Sequence, residues 1–246
     1  MLQMIHTGRD EHRTRVSGTS HPFTAADHAS DGKRHLLLAA SGSVATIKIP
    51  NILSALSHYP NLSICVILTK SATNFLQGQS IEQPHIDTFH RYANVQGVFL
   101  DEEEWIHPWK RGQSILHIEL RRWAHMLVVA PLSANTMAKI TGGFSDNLLT
   151  SVVMDTNGEM VFSGKKRIVV APAMNTAMWR HPVTKSQIKI LEQEWGIGPD
   201  GDEGEGWFEV LRPQEKELAC GDVGDGAMKD WKEIVTVIEK RLKLES

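Results

Sequence analysis

Apolar positions along this chain fall into short runs separated by polar, helically spaced segments. "RHLLLAAS" (34–41) is an apolar run ending in a glycine turn, which predicts a buried parallel strand. The segment 44–59, "VATIKIPNILSALSHY", carries Ile49, Ile52, Leu53 and Leu56 at helical spacing, with Pro50 early, where a missing N–H costs least. "NLSICVILT" (61–69) predicts a second strand and "KSATNFLQ" (70–77) a short helix. The stretch 78–114 shows no clear period and is expected to be irregular, with "DEEEW" (101–105) a solvated charge run.

Beyond it, 114–125 predicts a helix, 126–132 ("MLVVAPL") a strand and 133–143 a helix closed by a glycine pair. Another helix is expected over 145–154, opened by Ser and Asp. A strand follows over 166–174, then helix over 175–196, broken near Pro182. Residues 196–207 are expected to form a Gly/acid loop, and 218–228, "LACGDVGDGAM", a glycine-rich acidic loop. The end, 228–242, is amphipathic, with Trp231, Ile234, Val235, Ile238 and Leu242 on one face. Strands alternating with helices imply a single α/β domain: an open parallel sheet, flavodoxin-like or Rossmann-like, with helices on both faces. Residues 1–32 are polar and aperiodic and are expected to form a disordered tail, so the domain is placed at 33–246.

Composition narrows the class without naming a chemistry. The chain has 246 residues and a formal charge of −3, with no basic stripe of the kind nucleic acid selects. No apolar run reaches the ~18–20 residues of a membrane span, and no signal-peptide pattern opens the chain, so a cytoplasmic protein is expected. The 2 cysteines do not form a disulfide framework. Cys65, inside an apolar run, is expected to be a buried thiol. No metal-binding motif is present, and no metal is expected.

In open α/β sheets, ligands bind beyond the carboxyl ends of the strands. Three expected strand ends carry small residues, hydroxyls or amides at a helix start: "SGSVA", "PLSANT" and "PAMNTAMW". Such turns present free N–H groups to an anion, so Gly42, Ser43 and Val44, with Ser133, Asn135 and Thr136, suit a phosphate. The alternative is that these residues only cap helices. Methionines and Trp179 around Asn175 suit a flat ring system, or equally a core cluster with Asn175 as the cap. Among 12 histidines, His117 opens a helix and is a candidate general base, or a partly buried structural histidine.

Taken in order, "GSVA", "HIELRRWAH", "APLSANTMAKITGGFSDNLL", "APAMNTAMW" and "ACGDVGDGAM" resemble the homo-oligomeric flavin-containing cysteine decarboxylases over nearly all of 33–240. The Pro-x-Met-Asn-x-x-Met-Trp motif, Pro172 to Trp179, is the most specific part. The resemblance implies bound FMN, a homotrimer and active sites between subunits. It implies decarboxylation of 4'-phosphopantothenoylcysteine to 4'-phosphopantetheine in coenzyme A biosynthesis. It places FMN on Gly42, Ser43 and Val44, on Thr69, Lys70 and Ser71, on Ser133, Ala134, Asn135 and Thr136, and on Ala173. It makes His117 the base, Asn175 the holder of the substrate carboxylate and Cys220 the late proton donor on a mobile flap. Met178, Ala219 and Met228 would line the substrate. The chain departs from the pattern at His125, where the family commonly has Asp, and at Glu217, where a basic residue is common. Other uses of this fold are a phosphatase-inhibiting regulatory subunit, a peptidyl-cysteine decarboxylase and a flavin electron carrier. The first commonly has a long acidic tail that this sequence lacks, and the last would need neither His117 nor Cys220.

Overall fold

The structure is a computed structural model that describes residues 23–156, 160–161, 164–198, 206–217 and 223–245. Its frame is a six-stranded parallel sheet. The strands are β1 (Arg34–Ala40), β2 (Leu62–Leu68), β3 (Val95–Leu100), β4 (Met126–Leu132), β5 (Arg167–Pro172) and β6 (Phe208–Val210). Their spatial order is 3-2-1-4-5-6, the doubly wound Rossmann order. β1, β2, β4 and β5 read as near-continuous apolar runs because helices cover both faces.

Successive strand side chains point to opposite faces and define two cores. On one face Leu36, Leu38, Ile64 and Val66 pack with Ile52 and Leu53 of α1 (Ile49–Leu56) and with Ile234 and Ile238 of the C-terminal helix. On the other, Leu37, Ala39 and Val129 pack with four elements. After the short α2 (Lys70–Thr73), these are α3 (Leu116–Trp123), α4 (Ala134–Thr141), α5 (Leu148–Asp155) and, past the five-residue α6 (Thr176–Arg180), α7 (Pro182–Lys189). The C-terminal helix, α8 (Trp231–Leu242), buries the expected apolar stripe and is capped by Asp230, whose side chain accepts from the Lys232 N–H. Cys65 is fully buried in β2, and burial pushes its thiol pKa up.

Several expectations change. The segment 44–59 is a 3-10 turn, Val44–Lys48, running into α1 rather than one helix. The stretch 78–114 holds a strand, β3, flanked by 3-10 turns at Ile86–Arg91 and Asp101–Trp105. β3 hides from a pattern search because it is an edge strand, half-exposed and interrupted by Gly97. "DEEEW" is that second 3-10 turn and not a solvated run. Within 218–228, Val223–Ala227 is a strand paired antiparallel with Gln214–Glu217. Ala219 and Cys220, between those strands in sequence, lie outside the described residues, as do residues 1–22.

The described structure starts at Phe23 and so includes residues 23–32, which the sequence reading assigns to the tail. Phe23 packs edge-on against Phe99 and Trp123, and the Ala25 N–H donates to the Glu119 carboxylate at 2.8 Å. This segment carries Asp31 to His35, whose ring stacks between Trp123 and His125 with centroids 4.5 and 4.6 Å away. His125 Nδ1 accepts the His35 backbone N–H at 3.0 Å, which requires it unprotonated. Burial, then the neighbouring His35, Lys166 and Arg34, lower its pKa to about 4. Between that value and the unfolded ~6.5, the unfolded chain binds more protons, so stability falls on acidification. We expect the native state to lose roughly 2 kcal/mol between pH 6.5 and 4 from this residue, allowing for its partial exposure. Chemical denaturation of His125→Gln across that range should show a flatter acid limb than the parent, and parallel curves would remove His125 as the cause.

Candidate functional site

Strand order reverses between β1 and β4, so the crevice beyond their carboxyl ends is the place the fold offers a ligand. Ser41, immediately after β1, ties the two ends together. Its hydroxyl donates to the Pro131 carbonyl at 3.1 Å and accepts the Ser133 N–H at 2.8 Å. Its own carbonyl accepts from the Thr46 hydroxyl at 3.2 Å. Two of the predicted turns are thereby held side by side. Each turn begins a helix because a side-chain oxygen caps it: Ser43 for Ala45, Thr69 for Ala72, Ser133 for Thr136 and Asn175 for Met178.

These turns open onto one cavity of about 770 Å³, within the size range of cofactor pockets. Gly42, Ser43 and Val44 line one wall, and Thr69, Lys70 and Ser71 the next. Ser133, Ala134, Asn135 and Thr136 line the third, with Ala173, Asn175, Met178 and Met228 completing it. The first two walls touch at Gly42, where a β-carbon would stand 2.5 Å from that of Ser71. The strand Val223–Ala227 presses on the Asn175 turn: the Gly226 carbonyl accepts the Met174 N–H at 3.0 Å, and Arg180 pairs with Asp225 at 3.3 Å.

Other lining residues were not anticipated from the sequence: Asp101, Asn147, Gln214 and Trp231. Asp101 carries the clearest chemical signal. One carboxylate oxygen accepts the Lys70 N–H at 2.9 Å across 31 residues, and the other is buried with no partner among the described residues. Burial raises its pKa. No local pattern marks such a contact, because it depends on β2 and β3 lying side by side.

The residues present fit a flavin nucleotide. Hydroxyls and backbone N–H groups at three helix starts suit its phosphate and ribityl chain. Met174, Met178, Met228 and Trp231 offer apolar surface for a flat ring.

His117 does not line this cavity. It stands on the first turn of α3, where its Nδ1 lies 2.5 Å from Glu104 Oε1 and its N–H donates to the same oxygen at 3.2 Å. The Glu104 side chain is 3% exposed and the imidazole 21%. No group of three or more potential metal ligands occurs among the described residues, and no helix there is long and apolar enough to cross a membrane.

Fold and site together define a doubly wound α/β protein with a nucleotide-sized cavity at its switch point. Residues 24–243 match the family described as Flavoprotein, and the chain belongs to that family. It is 42% identical over 196 residues to a probable phosphopantothenoylcysteine decarboxylase of Arabidopsis thaliana, covering 80% of this chain and 82% of that one. The chain spans only 30% and 37% of two long fungal relatives, the second being Coenzyme A biosynthesis protein 3 of Saccharomyces cerevisiae. Among solved structures, it superposes with TM-score 0.67 on a PPC decarboxylase Cys→Ser mutant complexed with pantothenoylaminoethenethiol, at 37% identity, covering 86% of this chain and 99% of that one. The FMN binding protein AtHal3 is 36% identical with TM-score 0.66, covering 87% and 99%.

Proposed function

We propose that this chain is an FMN-dependent decarboxylase that converts 4'-phosphopantothenoylcysteine to 4'-phosphopantetheine in coenzyme A biosynthesis, working in the cytoplasm as a homotrimer. The observation that carries this reading is that the cofactor-type turns and the Asn175–Met178 turn face one cavity. The names of the similar proteins support the substrate and the cofactor. Gly42–Val44, Thr69–Ser71, Ser133–Thr136 and Ala173 hold FMN. Bound there, FMN supplies reversible two-electron oxidation, without which the carbanion left by CO2 loss from a cysteine derivative has no electron sink.

The chain's own residues supply position and protons. Asn175 Oδ1 accepts the Met178 N–H at 2.8 Å, which leaves the side-chain NH2 to donate to the substrate carboxylate. That bond fixes the carboxylate without adding a charge that would hold it in place against CO2 loss. Met178, Met228 and Ala219 enclose the substrate. His117 takes the thiol proton at its free ring nitrogen. Cys220 delivers the last proton to carbon from the segment between the two paired strands. His117 reaches the substrate from a neighbouring subunit, a reading favoured by its place outside its own chain's cavity. Exposed Trp105, Ile106, Trp109 and Phe144 provide apolar surface for that contact.

The purified yellow protein, mixed with phosphopantothenoylcysteine, should yield phosphopantetheine by mass. Bound FMN with intact substrate would turn the reading toward a phosphatase-regulating subunit. Cys220→Ser should still release CO2 and accumulate the enethiol, two hydrogens short of phosphopantetheine. Normal product at a normal rate would remove Cys220 from the mechanism.

A further inference from the structure

The turn Asp101–Trp105 joins the cavity to the base. At one end Asp101 accepts the Lys70 N–H in a cofactor-type turn; at the other Glu104 meets His117. The Glu104 carboxylate is nearly buried, and both the His117 backbone N–H and its Nδ1 converge on a single oxygen, Oε1. A lone surface ion pair would not show this two-point geometry. A buried carboxylate that grips both backbone and ring leaves the imidazole one orientation.

We propose that Glu104 is the positioning residue of His117, a reading that rests on His117 acting as the base. Its carboxylate accepts Nδ1–H and so selects the tautomer in which Nε2, the nitrogen remote from Glu104, carries no proton. In the reaction the substrate thiol proton moves to Nε2, and the positive charge that forms on the ring is balanced by the carboxylate 2.5 Å from Nδ1. Base and orienter form the arrangement found wherever an imidazole must accept a proton in a set direction. The contact spans 13 residues and depends on the 3-10 turn folding back over the start of α3.

The test compares Glu104→Ala and Glu104→Gln with the parent as flavin-loaded proteins. Nitrogen-15 NMR of the histidine rings, with the His117 signal assigned by its loss in His117→Asn, reads the tautomer directly. The parent should show Nδ1 protonated and Nε2 bare at pH 8. Glu104→Ala should give a mixture of tautomers and a kcat lower by about 100-fold or more, with KM and flavin content little changed. Glu104→Gln, whose side-chain oxygen can still accept, should restore the single tautomer and part of the kcat. A parent with Nε2 protonated, or an Ala variant with unchanged tautomer and kcat, would overturn the proposal. Should Glu104→Ala lose its flavin, the Gln variant decides: a His117 ring that is a mixture of tautomers or protonated at Nε2 would overturn it, and a retained tautomer with reduced kcat supports it. A parent that shows the tautomer but makes no phosphopantetheine would sink the decarboxylase reading and leave the Glu104–His117 pairing standing.

Discussion

His117→Asn should retain its flavin and lose turnover by about 10²–10⁴-fold, the range over which a positioned base acts. Retention is expected because His117 lies outside the cavity that the cofactor-type turns enclose. Asparagine is the informative replacement. Its amide can still donate to Glu104, so the buried carboxylate is not orphaned and the start of α3 keeps its contact with the 3-10 turn. What asparagine lacks is a nitrogen that can accept a proton near neutral pH. Absorbance of the purified variant gives flavin content, and product mass gives turnover. Flavin lost together with turnover would make His117 a structural residue whose job is to satisfy Glu104.

Gly42→Val should empty the cavity of flavin. A β-carbon at position 42 would stand 2.5 Å from Ser71 Cβ, closer than real β-carbons approach, and neither atom is the end of a flexible side chain. The backbone of one turn must therefore move. Both turns line the same cavity, and Ser41, next to Gly42, also holds Ser133. Displacement at one point thus spreads to the third turn. We expect flavin content after purification to fall at least about 10-fold and stability to drop by about 1–3 kcal/mol, the usual cost of overpacking. The milder Gly42→Ala combined with Ser71→Gly should recover flavin relative to Gly42→Ala alone, because the two β-carbons are in direct conflict. A fully yellow Gly42→Val protein would show that these turns do not hold the cofactor.

Much of the architecture was legible in the sequence, for reasons that differ by element. β1, β2, β4 and β5 announce themselves because parallel strands covered on both faces must be apolar throughout. α8 does so because one stripe of a surface helix must be buried. The cap residues Ser43, Thr69, Ser133 and Asn175 are local choices at helix starts, so a reading of adjacent residues finds them. β3 and β6 are the outer strands of the sheet, and short or partly exposed strands leave no apolar run to find.

The sequence by itself determined the alternation of strands and helices, the turns at the strand ends and the residue types suited to a flavin and a proton transfer. Those are properties of neighbouring residues, set by periodicity and by the backbone groups that helix ends leave unsatisfied. Only the tertiary structure decided that Ser41 locks β1 to β4, that Asp101 reaches Lys70 and that Glu104 grips His117. It also placed His117 outside the cavity that its predicted partners line. Each of these contacts joins residues far apart in the chain, and each is made by the order in which strands pair and the way one 3-10 turn folds over a helix. No residue carries that order in its own chemistry, so it became visible only once the sheet was assembled.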